Sequence, residues 1–138
     1  MLKVYIADDS VAIVERLEDM LTDLGDIELV GWATDAHQAI QQTQMLEPDV
    51  TILDIRMPGN GLMALDAIKA LPKPPLAIVF TAYPNEQYRQ HCLGAGAEYF
   101  FDKAMEFGRI GEVLVELAAI KNGQSRPPKS LSEEQQDD

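Results

Sequence analysis

The chain has 138 residues, 46% of them apolar and 25% charged, enough for one domain whose core needs no disulfide. Its net charge of −12, from 23 acidic against 11 basic residues with no basic cluster, argues against direct nucleic-acid binding, which draws on Lys and Arg to neutralise phosphates. The single cysteine, Cys92, allows no internal disulfide, and no apolar run approaches the roughly 20 residues needed to cross a bilayer. Met1-Leu2-Lys3-Val4 leads into a strand pattern rather than a signal peptide, so a cytoplasmic, membrane-free protein is expected.

In chain order, Val4–Ala7 reads as a buried strand, and Ser10 as the N-cap of a helix striped by Ile13, Val14, Leu17, Met20, Leu21 and Leu24. Gly25 can end that helix. Ile27–Ala33 is the second strand, with Trp32 packing locally near its end. Ala36, Ala39, Ile40, Thr43 and Leu46 stripe a second helix that Pro48 stops. Val50–Leu53 is the third strand, followed by a loop rich in Pro and Gly and a short helix carrying Leu62, Leu65 and Ile68. Leu76–Phe80 is the fourth strand. The helix expected over 85–93 is mostly polar, with Tyr88 and Cys92 as its apolar anchors. Ala97–Phe101 is the fifth strand, and Ile110, Val113, Leu114, Leu117 and Ile120 stripe the last helix. Residues 1–122 form the expected domain. Residues 123–138, with Pro127-Pro128 and only Leu131 as a large apolar side chain, read as a flexible tail. Strands alternating with helices imply right-handed βαβ crossovers, and so an α/β fold: a doubly wound, five-stranded parallel sheet between two helical layers.

Four strands run into reactive residues: Asp8-Asp9, Asp54, Thr81 and, one residue beyond its strand, Lys103. In open α/β sheets ligands bind at the carboxyl edge of the strands. Any one of these residues alone reads as an ordinary cap or strand-end polar group. Together they gather three carboxylates, and a like-charged pair at 4 Å costs about 4 kcal/mol at an effective dielectric of 20. Mg²⁺, which prefers oxygen ligands, compensates that repulsion. Lys103 can grip a phosphoryl group as a point charge, and Thr81 can hydrogen-bond one. No His belongs to the set, whereas Asp54 can attack phosphorus to give an aspartyl-phosphate.

The segments Ile6-Ala7-Asp8-Asp9-Ser10, Pro48 to Pro58 around Asp54, Phe80-Thr81-Ala82 and Phe101-Asp102-Lys103 closely resemble the receiver domain of two-component response regulators, over about residues 2–121. The likeness is to a stand-alone, chemotaxis-regulator-like receiver. It implies a flavodoxin-like fold with strand order 2-1-3-4-5. It implies phosphorylation of Asp54 by a histidine kinase or phosphotransfer protein, and output through a downstream protein that the sequence does not identify. Asp9, Asp54 and the backbone carbonyl of Arg56 would ligate Mg²⁺, with Asp8 acting through water. Thr81 and Lys103 would hold the phosphoryl group, and Phe100 falls at the family's switch-aromatic position. Relatives often pair as homodimers through the last two strand–helix units. Two departures stand out. Gly61 lies seven residues after Asp54 where most relatives have glycine at eight, and Ala104 stands where many have a cis proline.

The expected protein therefore accepts phosphate and, apart from slow self-dephosphorylation, is not a turnover enzyme. Arg56 and Tyr83, two residues beyond Asp54 and Thr81, would shield the phosphoryl group from water. The alternatives are the receiver portion of a longer DNA-binding transcription regulator, which the short stretch after residue 122 disfavours, and a phosphatase of the haloacid dehalogenase type, which wants a second Asp where Arg56 stands.

Overall fold

The computed structural model describes residues 1–123. In chain order these form β1 (Leu2–Ala7), α1 (Val11–Leu24), β2 (Ile27–Ala33), α2 (Ala36–Leu46), β3 (Val50–Leu53), α3 (Gly61–Lys69), β4 (Leu76–Thr81), α4 (Glu86–Gly94), β5 (Tyr99–Asp102) and α5 (Phe107–Lys121). The strands pair in parallel in the order β2-β1-β3-β4-β5, as expected. The expected tail lies outside the described residues except for Gly123, whose N–H bonds the Ile120 carbonyl.

Strand pleating sends alternate side chains to two cores. Val4, Ile6, Val50, Ile52, Ile78, Phe80, Tyr99 and Phe101 pack against α1 and α5, while Tyr5, Ala7, Leu53, Ala77, Val79 and Phe100 join residues of α2, α3 and α4. Polar side chains set where helices begin. Ser10, Asp35, Asn60 and Asn85 each accept the N–H three residues on, capping α1 to α4. Gly25 at φ +76° ends α1, and Glu47 takes the left-handed conformation just before Pro48 to end α2.

One local reading is corrected. The fifth strand runs Tyr99–Asp102, not Ala97–Phe101, because the Ala97 N–H turns back to the Cys92 carbonyl and closes α4. Pairing with β4 starts at Glu98, whose N–H meets the Ala77 carbonyl. Trp32, near the end of β2, is 44% exposed.

The lower ends of β4 and β5 are tied together. Lys69 Nζ donates to the Pro75 carbonyl at 2.8 Å and to both Glu98 carboxylate oxygens at 3.1 Å, and Glu98 Oε1 also accepts the Ala77 N–H at 2.8 Å. Gly96, at φ +108°, lies against the Lys69 stem, where its backbone conformation suits only glycine well.

Candidate functional site

Sheet register brings the acidic residues together. Ala7 pairs with Leu53, so Asp8 and Asp54 leave adjacent strands side by side, and the Asp54 N–H bonds the Ala7 carbonyl at 2.9 Å. Leu53 pairs with Val79, and Thr81 with Asp102, which sets Lys103 at the same edge; its N–H bonds the Thr81 carbonyl at 2.8 Å.

One device recurs at four strand exits: a side-chain oxygen captures the N–H two residues on. Asp8 holds Ser10, Asp54 holds Arg56, Thr81 holds Tyr83 and Asp102 holds Ala104, at 2.9 to 3.0 Å. These Asx and ST turns bend the chain out of the sheet and orient each side chain. They also account for Ala104. Its N–H is a donor that proline lacks, and the described residues contain no cis peptide.

Gly61 has an equally local cause. A Cβ there would lie 2.5 Å from Ile55 Cα and 2.6 Å from the Asp54 carbonyl oxygen. Shortened by one residue, the loop still needs glycine where α3 presses on the backbone just after Asp54. Asn60, at φ +77°, turns the chain into that contact.

Carboxylate oxygens of Asp8, Asp9 and Asp54 lie within 4.8 Å of one another. Asp8 and Asp54 are almost wholly buried, whereas Asp9 is exposed. Lys103 Nζ bridges the two buried ones, 2.8 Å from Asp8 and 3.1 Å from Asp54. Burial pushes the Asp8 carboxyl above the usual carboxylate range, a rise that bonds from Lys103 and Ser10 only partly offset. Burial would lower the Lys103 ammonium, but Asp8 and Asp54 together raise it, so it stays charged. Every donor in the acidic set is a hard oxygen, which fits Mg²⁺ and gives no soft-metal site.

A cavity of about 230 Å³ opens here, lined by Asp9, Asp54, Arg56, Ala82, Tyr83 and Lys103. A second, of about 260 Å³ between α2 and the segment 71–73, holds none of the expected site residues.

Of the sequence-predicted residues, Asp8, Asp9, Asp54, Arg56 and Lys103 converge. Thr81 is fully buried beside the cavity without lining it, and its hydroxyl is committed to Tyr83. Phe100 is buried in the core shared with α2, α3 and α4. One residue was missed. Tyr88, read only as a core anchor, accepts a hydrogen bond from Arg56 Nη1 at 3.3 Å, while the guanidinium lies 4.2 Å from the Tyr83 ring centroid. Its place one turn beyond the Asn85 cap offers no sequence signal for that bond.

Comparison with known proteins identifies the family. The chain is 34% identical over 126 residues to a protein-glutamate methylesterase/protein-glutamine glutaminase of Methanospirillum hungatei, covering 88% of this chain and 37% of that protein. It is 30% identical over 128 residues to the DNA-binding transcriptional activator EvgA of Escherichia coli, covering 92% and 61%. The chain thus spans less than two thirds of either relative. Among solved structures it is similar to the CheX-CheY-BeF3-Mg complex of Borrelia burgdorferi, with a TM-score of 0.71, 30% identity, and coverage of 82% of this chain and 89% of that one. Residues 4–115 match the family profile of the response regulator receiver domain. Receiver domains are signalling modules that bind Mg²⁺ at an acidic pocket and exchange signals with kinases, phosphotransfer proteins and effectors. With that match over most of its length, and with its acidic strand edge and strand order, the chain belongs to the response regulator receiver family.

Proposed function

We propose that this receiver takes a phosphoryl group onto Asp54 from a histidine kinase or phosphotransfer protein and signals by protein–protein contact in the cytoplasm. The observation that carries the reading is the bridging of Asp8 and Asp54 by Lys103 inside an open cavity. A carboxylate oxygen of Asp54 attacks phosphorus, the bond from phosphorus to the donor nitrogen breaks, and the imidazole keeps the electron pair. Backbone and ammonium donors on Asp54 fix the carboxylate before the donor arrives. Lys103, paired with both carboxylates, turns toward the incoming oxygens as a point charge.

Asp8, Asp9, Asp54 and the Arg56 carbonyl would hold Mg²⁺, which when bound neutralises charge on the transferring group. Support comes from the Borrelia relative, whose structure includes BeF3 and Mg²⁺. After transfer, Thr81 exchanges its bond to Tyr83 for one to the phosphoryl group, and Phe100 turns into the space released. Arg56 and Tyr83 stand over the cavity and slow hydrolysis. Pairing of two copies through the last two strand–helix units, β4–α4 and β5–α5, is an accompanying expectation. Residues 123–138 serve as a tail to the receiver proper.

Intact-mass measurement after incubation with acetyl phosphate and Mg²⁺ tests the reading. One added phosphoryl group is expected, lost in Asp54→Asn and when Mg²⁺ is chelated. An unmodified wild-type chain would overturn it.

A further inference from the structure

We propose that Arg56 and Tyr88 form a latch that holds the first turn of α4 until a phosphoryl group on Asp54 draws the guanidinium away. The inference rests on the reading of Asp54 as phospho-acceptor and adds a route from that site to α4. The Arg56 backbone is fixed, because its N–H donates to Asp54 Oδ1 at 3.0 Å. Its side chain is not committed so firmly. The guanidinium lies over the Tyr83 ring and reaches the Tyr88 hydroxyl at 3.3 Å, at the long end for a hydrogen bond and to a neutral acceptor. Among the described residues it pairs with no carboxylate, although the chain is rich in acids and Arg56 lines the same cavity as Asp9 and Asp54.

At the other end of the latch, α4 is weakly held. Cys92 is its one buried residue, and half-buried Tyr88 packs on the core beside it. The bond to Tyr88 therefore adds a side-chain tie to a helix that has few core contacts.

Phosphorylation brings nearly one more negative charge and new acceptor oxygens into the cavity. A guanidinium favours such oxygens, which it can grip through two parallel bonds. Arg56 then leaves a weak neutral acceptor for a strong anionic one, and α4 loses an anchor. The latch does not run through the Phe100 ring, but Thr81 touches the latch through Tyr83, whose N–H it holds and whose ring lies beneath the guanidinium.

The test is hydrogen exchange of amides 86–94 in the full chain and in Tyr88→Phe, without and with beryllofluoride plus Mg²⁺. Fluorine NMR reports bound beryllofluoride independently. The ring stays in place in Tyr88→Phe, so the fold is retained. Without beryllofluoride the variant exchanges about twofold faster in α4, the low end for one net hydrogen bond. With it bound, the two proteins converge. Equal exchange without beryllofluoride, or a difference that persists when it is bound, overturns the latch alone. Absence of a bound fluorine signal overturns the phospho-acceptor reading, and the latch with it.

Discussion

The two halves of the sheet meet at one edge but are built differently. On the β1–β3 side, α1 runs 14 residues, is capped at both ends and buries Val14, Leu17 and Leu21. Both acidic strands there have partners on each side. On the β4–β5 side, α5 packs one face with six buried residues, but the other face carries α4, which has nine residues and buries Cys92 alone. The carboxylates thus leave strands covered by firmly buried helices, and Thr81 and Lys103 leave strands that α4 covers lightly on one face. A site meant to sense added charge benefits from that division, since low local stability belongs to elements that move.

Several changes would break or sharpen this contrast. The largest effect is expected from Gly61→Ala, which drives a methyl group into backbone just after Asp54. Overpacking against backbone should cost roughly 3 kcal/mol in urea unfolding and disturb phosphate uptake. Leu17→Ala, in the firm half, should cost about 3 kcal/mol, whereas Cys92→Ala, in the light half, should cost about 1 kcal/mol. Equal losses would erase the proposed asymmetry. Tyr83→Ala, opening the cavity mouth, should shorten the phosphate lifetime by a few-fold, read as loss of the phosphorylated mass over time. An unchanged lifetime would rule out shielding by Tyr83.

The smallest effect concerns the Cys92 thiol, raised to about 11 by burial and then by the nearby Asp66 carboxylate. The unfolded thiol releases its proton first, near 8.5. Its stabilising contribution is therefore complete below that value and fades as pH climbs toward about 11. Melting temperatures of the parent and Cys92→Ala should draw together over that window, and thiol reagents at pH 8 should label only unfolded chains.

Much of the site was readable because its logic is one-dimensional. A buried strand ends where apolar residues end, so Asp8, Asp54 and Thr81 announce themselves, and Lys103 falls one residue past β5. What escaped depends on how side chains fold back. Nothing in the order Asp102-Lys103-Ala104 reveals that Asp102 holds the Ala104 N–H. Nor does the 32-residue separation between Arg56 and Tyr88 suggest their bond. The β5 boundary shifted for a related reason, because Ala97, apolar and strand-like, gives its N–H to the end of α4 instead.

The knot of Lys69, Glu98 and the Ala77 amide lies at the far end of β4 and β5 from the carboxylates. It fastens the foot of β4 and β5, whereas their head is held by the Lys103 bridge to Asp8 and Asp54 and by the bond from Arg56 to Tyr88. A movement that freed the head and kept this foot in place would be a tilt, greatest near Tyr88 and smallest near Gly96. A small change in charge at the head then becomes a change of angle in the outer face.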